Sequence, residues 1–105
     1  MAWISLFLAG LCEIGWPVGL KLGWTDQGIR PGWLLFAAVA IIVSGALLMW
    51  AQRTIPMGTA YAIWTGIGAV GAFTVGILAF GDTASTIRIV SIALIVAGIV
   101  GLKLA

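Results

Sequence analysis

Four long apolar runs, broken by three short polar stretches, set the pattern of this chain. The runs extend from Ala2 to Leu22, Trp33 to Ala51, Met57 to Phe80 and Ser85 to Leu104. The breaks are Gly23 to Gly32, Gln52 to Pro56 and Gly81 to Ala84. A helix needs roughly 20 apolar residues to cross a bilayer's hydrocarbon, so each run predicts one spanning helix. The expected fold class is an all-α membrane protein, a single four-helix transmembrane domain over residues 1–105. The breaks are too short to hold an extramembrane domain, so the chemistry is expected inside the bilayer.

Composition narrows the function. Only 8% of residues are charged, against about 25% in an average soluble domain. There is no histidine, and the lone Cys12 has no internal partner, so an internal disulfide and a histidine-based metal site or catalytic triad are excluded. Asp26 and Asp82 fall in breaks, each without a neighbouring acid for paired-carboxylate chemistry. Neither an enzyme nor a cofactor is expected. The five basic residues sit at segment ends, where they anchor spans to the interface, so no nucleic-acid partner is expected. The first run lacks the basic leading segment of a secretory signal and carries Glu13 in its apolar stretch.

Glu13 is the acid placed at mid-membrane depth. A carboxylate there costs several kcal/mol or more unless a cation, a proton or a water-filled cavity accompanies it, so it marks a functional site by default. Gly10, Glu13, Trp16, Pro17 and Leu20 follow three- and four-residue steps, which puts Glu13 and Trp16 on one face. The indole N–H can bond the carboxylate, and the ring can receive a cation. Trp16 lies too deep for the interfacial belt that suits Trp3, Trp24 and Trp33. Pro17 has no N–H for the carbonyl four residues earlier, which is that of Glu13. Either this frees a backbone acceptor at the acid's depth or Pro17 is an ordinary kink.

Tyr61 and Trp64 stand three residues apart on the third run. Such pairs are commonly packing, but an O–H and an N–H buried in lipid need partners, which favours a cavity wall. Ser44 is the one hydroxyl of the second run, and taken alone it is expected to back-bond to its own helix. Gly66, Gly68 and Gly71 spell a dinucleotide-binding glycine pattern, but they fall inside an apolar helix with no preceding strand. They are expected to allow a bend or close packing, giving a flexible third helix.

Small residues recur at four-residue spacing in Gly15, Gly19 and Gly23, in Gly68, Ala72 and Gly76, and in Ala93, Ala97 and Gly101. Such stripes let helices approach closely in lipid, within a chain or between chains. The fourth run has no polar residue between Arg88 and Lys103 except Ser91, so its stripe is assigned to dimer contact. An even number of spans puts Arg53 and Lys103 on one side and Lys21, Arg30 and Arg88 on the other. With the amino terminus offsetting the difference, almost no orientation bias remains. One chain inserted both ways supplies two inverted repeats, hence an expected antiparallel, dual-topology homodimer.

The chain resembles the small multidrug resistance family in Trp3, Ala9-Gly10, Glu13, Gly19-Leu20-Lys21 and above all Gly58-Thr59-Ala60-Tyr61-Ala62-Ile63-Trp64-Thr65-Gly66-Ile67-Gly68-Ala69. The resemblance covers the whole chain. It implies a multi-pass protein of the bacterial inner membrane, working as an antiparallel dimer with one Glu13 per subunit at a shared site. Trp16 and Ser44 resemble the guanidinium-exporter branch, while Pro17 and the Trp24-containing first connection depart from its pattern. By that likeness Glu13 binds proton and substrate, Trp16 and Ser44 orient it, and Tyr61 and Trp64 line the pocket. The implied activity is proton-coupled antiport of guanidinium or small guanidinyl cations. Export of quaternary ammonium or aromatic cations, and a non-transporting accessory subunit, are the alternatives.

Overall fold

The computed structural model describes all 105 residues and consists of four long helices and one small hairpin. Helix α1 spans Ala2–Gly23; strands β1 (Trp24–Thr25) and β2 (Gly28–Ile29) pair antiparallel; α2 spans Pro31–Ala51, α3 Met57–Phe80 and α4 Thr86–Leu104. Each helix is long and apolar enough to cross a membrane. At 1.5 Å per residue they reach roughly 28 to 36 Å, matching a hydrocarbon core of about 30 Å.

Helix ends follow local chemistry. Pro31 opens α2 at a position where its missing N–H is no loss. Ser85 caps α4, accepting from the Arg88 amide at 3.3 Å, so the fourth helix starts one residue later than its apolar run. Gly81 ends α3 in the left-handed conformation at φ 69°, which glycine tolerates without a Cβ penalty. The hairpin in the first break was not expected from the sequence. Thr25 Oγ1 donates to the Gly28 carbonyl at 3.0 Å and accepts from the Gln27 amide, and Gly28 turns the chain at φ 123°.

Helix α1 is the centre of the bundle, packed on α2 and α3, while α4 leans chiefly on α3. Lys103 Nζ lies 5.0 Å from the Trp3 ring centre, and Met1, Trp3, Trp50 and Arg53 surround one basin. Chain start, α2–α3 turn and α4 end therefore share one end of the bundle, as an even number of spans requires. Lys21, Phe80 and Asp82 meet at the other end.

Only 15 of 105 residues are buried, so most of the apolar surface faces outward toward lipid or a partner. A compact cluster of Leu6, Ala51, Ile55, Ala60 and Ile63 closes the end near the α2–α3 turn. The glycine stripes explain the seams. On Gly19 a Cβ would come 2.9 Å from Ala37 Cβ and from the Trp33 carbonyl, and Gly23 faces Leu34, so this stripe is the α1–α2 seam within one chain. Gly10 and Gly71 let α1 and α3 close, against Ile67 and Ile14 respectively. Ala93, Ala97 and Gly101 are exposed, and α4 has no buried residue.

Candidate functional site

Where α1, α2 and α3 converge, Glu13 meets two polar side chains, Trp16 and Ser44, and Ser44 links it to a third, Trp64. Trp16, one turn along α1, donates its indole N–H to Glu13 Oε1. Ser44 on α2 is fully buried, and its Oγ lies 2.7 Å from the Ala9 carbonyl and 3.4 Å from Glu13 Oε2. Trp64 on α3 donates its indole N–H to Ser44 Oγ at 2.7 Å. One hydroxyl thus ties all three helices together beneath the carboxylate.

This overturns the plain expectation for Ser44. Thr65, Thr74 and Ser91 each bond a carbonyl four residues back on their own helix, as hydroxyls in membrane helices commonly do. Ser44 instead reaches across to the carbonyl of Ala9. The cause is close approach: Ala9 on α1 is fully buried and carries only a methyl group, so the α1 backbone there comes within reach of Ser44 on α2.

Ser44 has a single proton and two lone pairs. With Trp64 donating to Oγ, that proton is given to one of two acceptors, the Ala9 carbonyl or the Glu13 carboxylate. The shorter distance assigns it to Ala9.

The site has a third wall without polar atoms. A Cβ on Gly68 would stand 2.5 Å from Glu13 Cγ, closer than real contacts allow, so the Glu13 stem lies directly against the α3 backbone. Gly66 faces Ile99 of α4 in the same manner. These glycines thus sit in close-packed positions, and α3 is one continuous helix from Met57 to Phe80. Pro17 likewise sits inside a continuous α1. It lines a small cavity of about 90 Å³ with Lys21, Phe80 and Asp82.

Tyr61 stands apart. It is 55% exposed and touches the site only through Trp64, the two rings being 5.6 Å apart and tilted by 48°. Within one chain Tyr61 lies on the outward face of α3. Glu13, Trp16, Ser44 and Trp64 are brought together; Tyr61 borders them.

Two participants escaped the sequence reading. The Ala9 carbonyl is an acceptor that no side chain announces. Ser5, also buried, donates to the Leu47 carbonyl at 2.8 Å and makes a second polar link between α1 and α2. Ser5 and Ala9 lie four residues apart on the same stripe of α1, and that spacing was the available signal.

A family model described as Small Multidrug Resistance protein matches residues 1–95. The chain is similar to a guanidinium exporter of Citrobacter freundii, at 55% identity over 104 residues that cover 99% of this chain and 97% of the relative. Guanidinium exporters of Salmonella typhimurium (strain LT2) and Escherichia coli (strain K12) match over the same shares at 54% and 52%.

Proposed function

This chain belongs to the small multidrug resistance family, a family of membrane transporters, and we propose that it exports guanidinium or small guanidinyl cations in exchange for protons. The functional unit in this reading is an antiparallel homodimer in the bacterial inner membrane. Each subunit contributes one Glu13 to a common site, reached from one side of the membrane at a time.

The observation that carries the proposal is the way Glu13 is held. Its one close chain donor is neutral, the Trp16 indole on Oε1, while the Ser44 hydroxyl, whose proton goes to the Ala9 carbonyl, stands 3.4 Å from the other oxygen. The carboxylate keeps its charge and most of its lone pairs for another ligand. A guanidinium offers a planar fork of N–H groups that matches a carboxylate bidentately. A proton neutralises the same oxygens, so proton and cation exclude one another. Exclusion, combined with alternating exposure, couples outward movement of cation to inward movement of protons. The names of the relatives supply the substrate class.

Ring faces supply the second requirement. Trp16, Trp64 and, at the border, Tyr61 provide π surfaces beside the acid, on which a planar cation can stack. These same surfaces favour the rival substrate class, quaternary ammonium or aromatic cations, which bind by ring faces and donate no hydrogen bonds. Uptake driven by a proton gradient into vesicles, comparing guanidinium with a tetraalkylammonium, separates the two. Guanidinium transport that disappears in Glu13→Gln supports the proposal; preference for the tetraalkylammonium supports the rival. An accessory subunit that moves nothing would release no protons on addition of either.

A further inference from the structure

We propose that the end of the bundle holding the chain start, the α2–α3 turn and the end of α4 is a binding site for an anionic phospholipid, with its phosphate at Arg53 and Lys103. Two cation–ring pairs define it. The Arg53 guanidinium carbon lies 4.9 Å from the Trp50 ring centre, and Lys103 Nζ lies 5.0 Å from that of Trp3. Trp3, Trp50, Arg53 and Thr54 line one open basin of about 680 Å³. Arg53, steadied on Trp50, lines this basin together with the Thr54 hydroxyl, and Lys103 adjoins it through Trp3, whose ring it covers and which borders the basin.

The charge of this end is one-sided. Of the three acids, Glu13 lies midway along α1, and Asp26 and Asp82 belong to the opposite end. Neither Arg53 nor Lys103 therefore has a carboxylate side chain near it. The N-termini of α1 and α3 and the C-termini of α2 and α4 all open here, so their dipoles offset and the side-chain cations set the sign of the field. An anion is the ligand that this field favours.

The ligand must also be amphipathic. Directly below the Lys103–Trp3 pair a crevice of about 130 Å³ is walled by Leu6, Phe7, Ile63 and Ile99. Trp3 borders both the basic basin and the apolar crevice. A headgroup phosphate in the first with an acyl chain entering the second satisfies both surfaces at once, at the level where tryptophans meet the membrane interface. A free phosphate satisfies only one. The site is independent of Glu13 and of the transported cation.

The test is lipid retention by the full-length protein, read by native mass spectrometry after purification with an equal mixture of phosphatidylglycerol and phosphatidylcholine. The wild type is expected to retain phosphatidylglycerol preferentially, and Arg53→Gln and Lys103→Gln to lower that preference by about five-fold each. Arg30→Gln/Arg88→Gln, at the other end, is expected to keep it. Equal retention of both lipids by the wild type overturns the site. So does an equal loss in the Arg30/Arg88 variant, which would mark diffuse charge, and so does displacement of the lipid by millimolar inorganic phosphate.

Discussion

Trp64 donates its indole N–H to Ser44 Oγ at 2.7 Å, which fixes α3 to α2 through a hydroxyl that also faces the only acid in the membrane interior. Removing Ser44 strands the Trp64 indole N–H donor at about 1–3 kcal/mol, while the Ala9 carbonyl keeps its bond within α1. Ser44→Ala is therefore expected to weaken guanidinium binding by about ten-fold or more. Trp64→Phe removes the stranded donor, so the double variant is expected to fall well short of the two single losses combined. Calorimetric affinities for the four proteins measure this; strict additivity would show that the bond does not couple the residues.

Gly68 and Gly71 serve the same seam but touch different things. An alanine at Gly71 meets the Ile14 side chain, and trimming that neighbour with Ile14→Ala is expected to restore folding and transport. An alanine at Gly68 meets Glu13 Cγ, and no trimming is available without moving the acid. Gly68→Ala is expected to fold, to lose most substrate-induced proton release and to resist rescue. Gly32→Ala, at the start of α2 where a Cβ meets nothing, serves as the neutral control.

Pro17 withholds an amide from the Glu13 carbonyl. In Pro17→Ala that carbonyl gains a helix partner and is lost to any cation or water at the site. Guanidinium affinity is expected to drop a few-fold, with helix content unchanged by circular dichroism. Unchanged affinity and proton coupling would reduce Pro17 to a feature of helix shape.

Helix α4 buries nothing of its own, and Ala93, Ala97 and Gly101 present small side chains on its exposed surface. If this stripe packs against a second subunit, Ala97→Leu is expected to shift the protein toward monomer in size-exclusion profiles and to abolish transport. An unchanged dimer would assign the contact to another face.

The spans were legible because hydrocarbon sets their length: α3 runs from Met57 to Phe80 as its apolar run does, and the other helices differ by one or two residues where Pro31, Gly23 and Ser85 adjust the ends. Glu13 and Trp16 were legible because both lie on one helix, where spacing alone fixes a shared face. Ser44 was singled out by resemblance, but its partners were not legible, since they are the Ala9 carbonyl and the Trp64 indole on two other helices. Helical periodicity carries no information about which backbone comes close. The Gly15–Gly19–Gly23 stripe shows the same limit: it announces close packing, and only the fold says that the neighbour is α2 of the same chain. The Trp24–Ile29 hairpin was hidden in a break read only for its length.

Competition at Glu13 is the centre of this account, and proton release measures it directly. Guanidinium added to purified, weakly buffered protein is expected to release protons at a pH where Glu13 is protonated. Its apparent affinity is expected to weaken as pH falls, and Glu13→Gln to abolish both effects. Guanidinium that binds with unaltered affinity across that range and expels no proton would contradict the account.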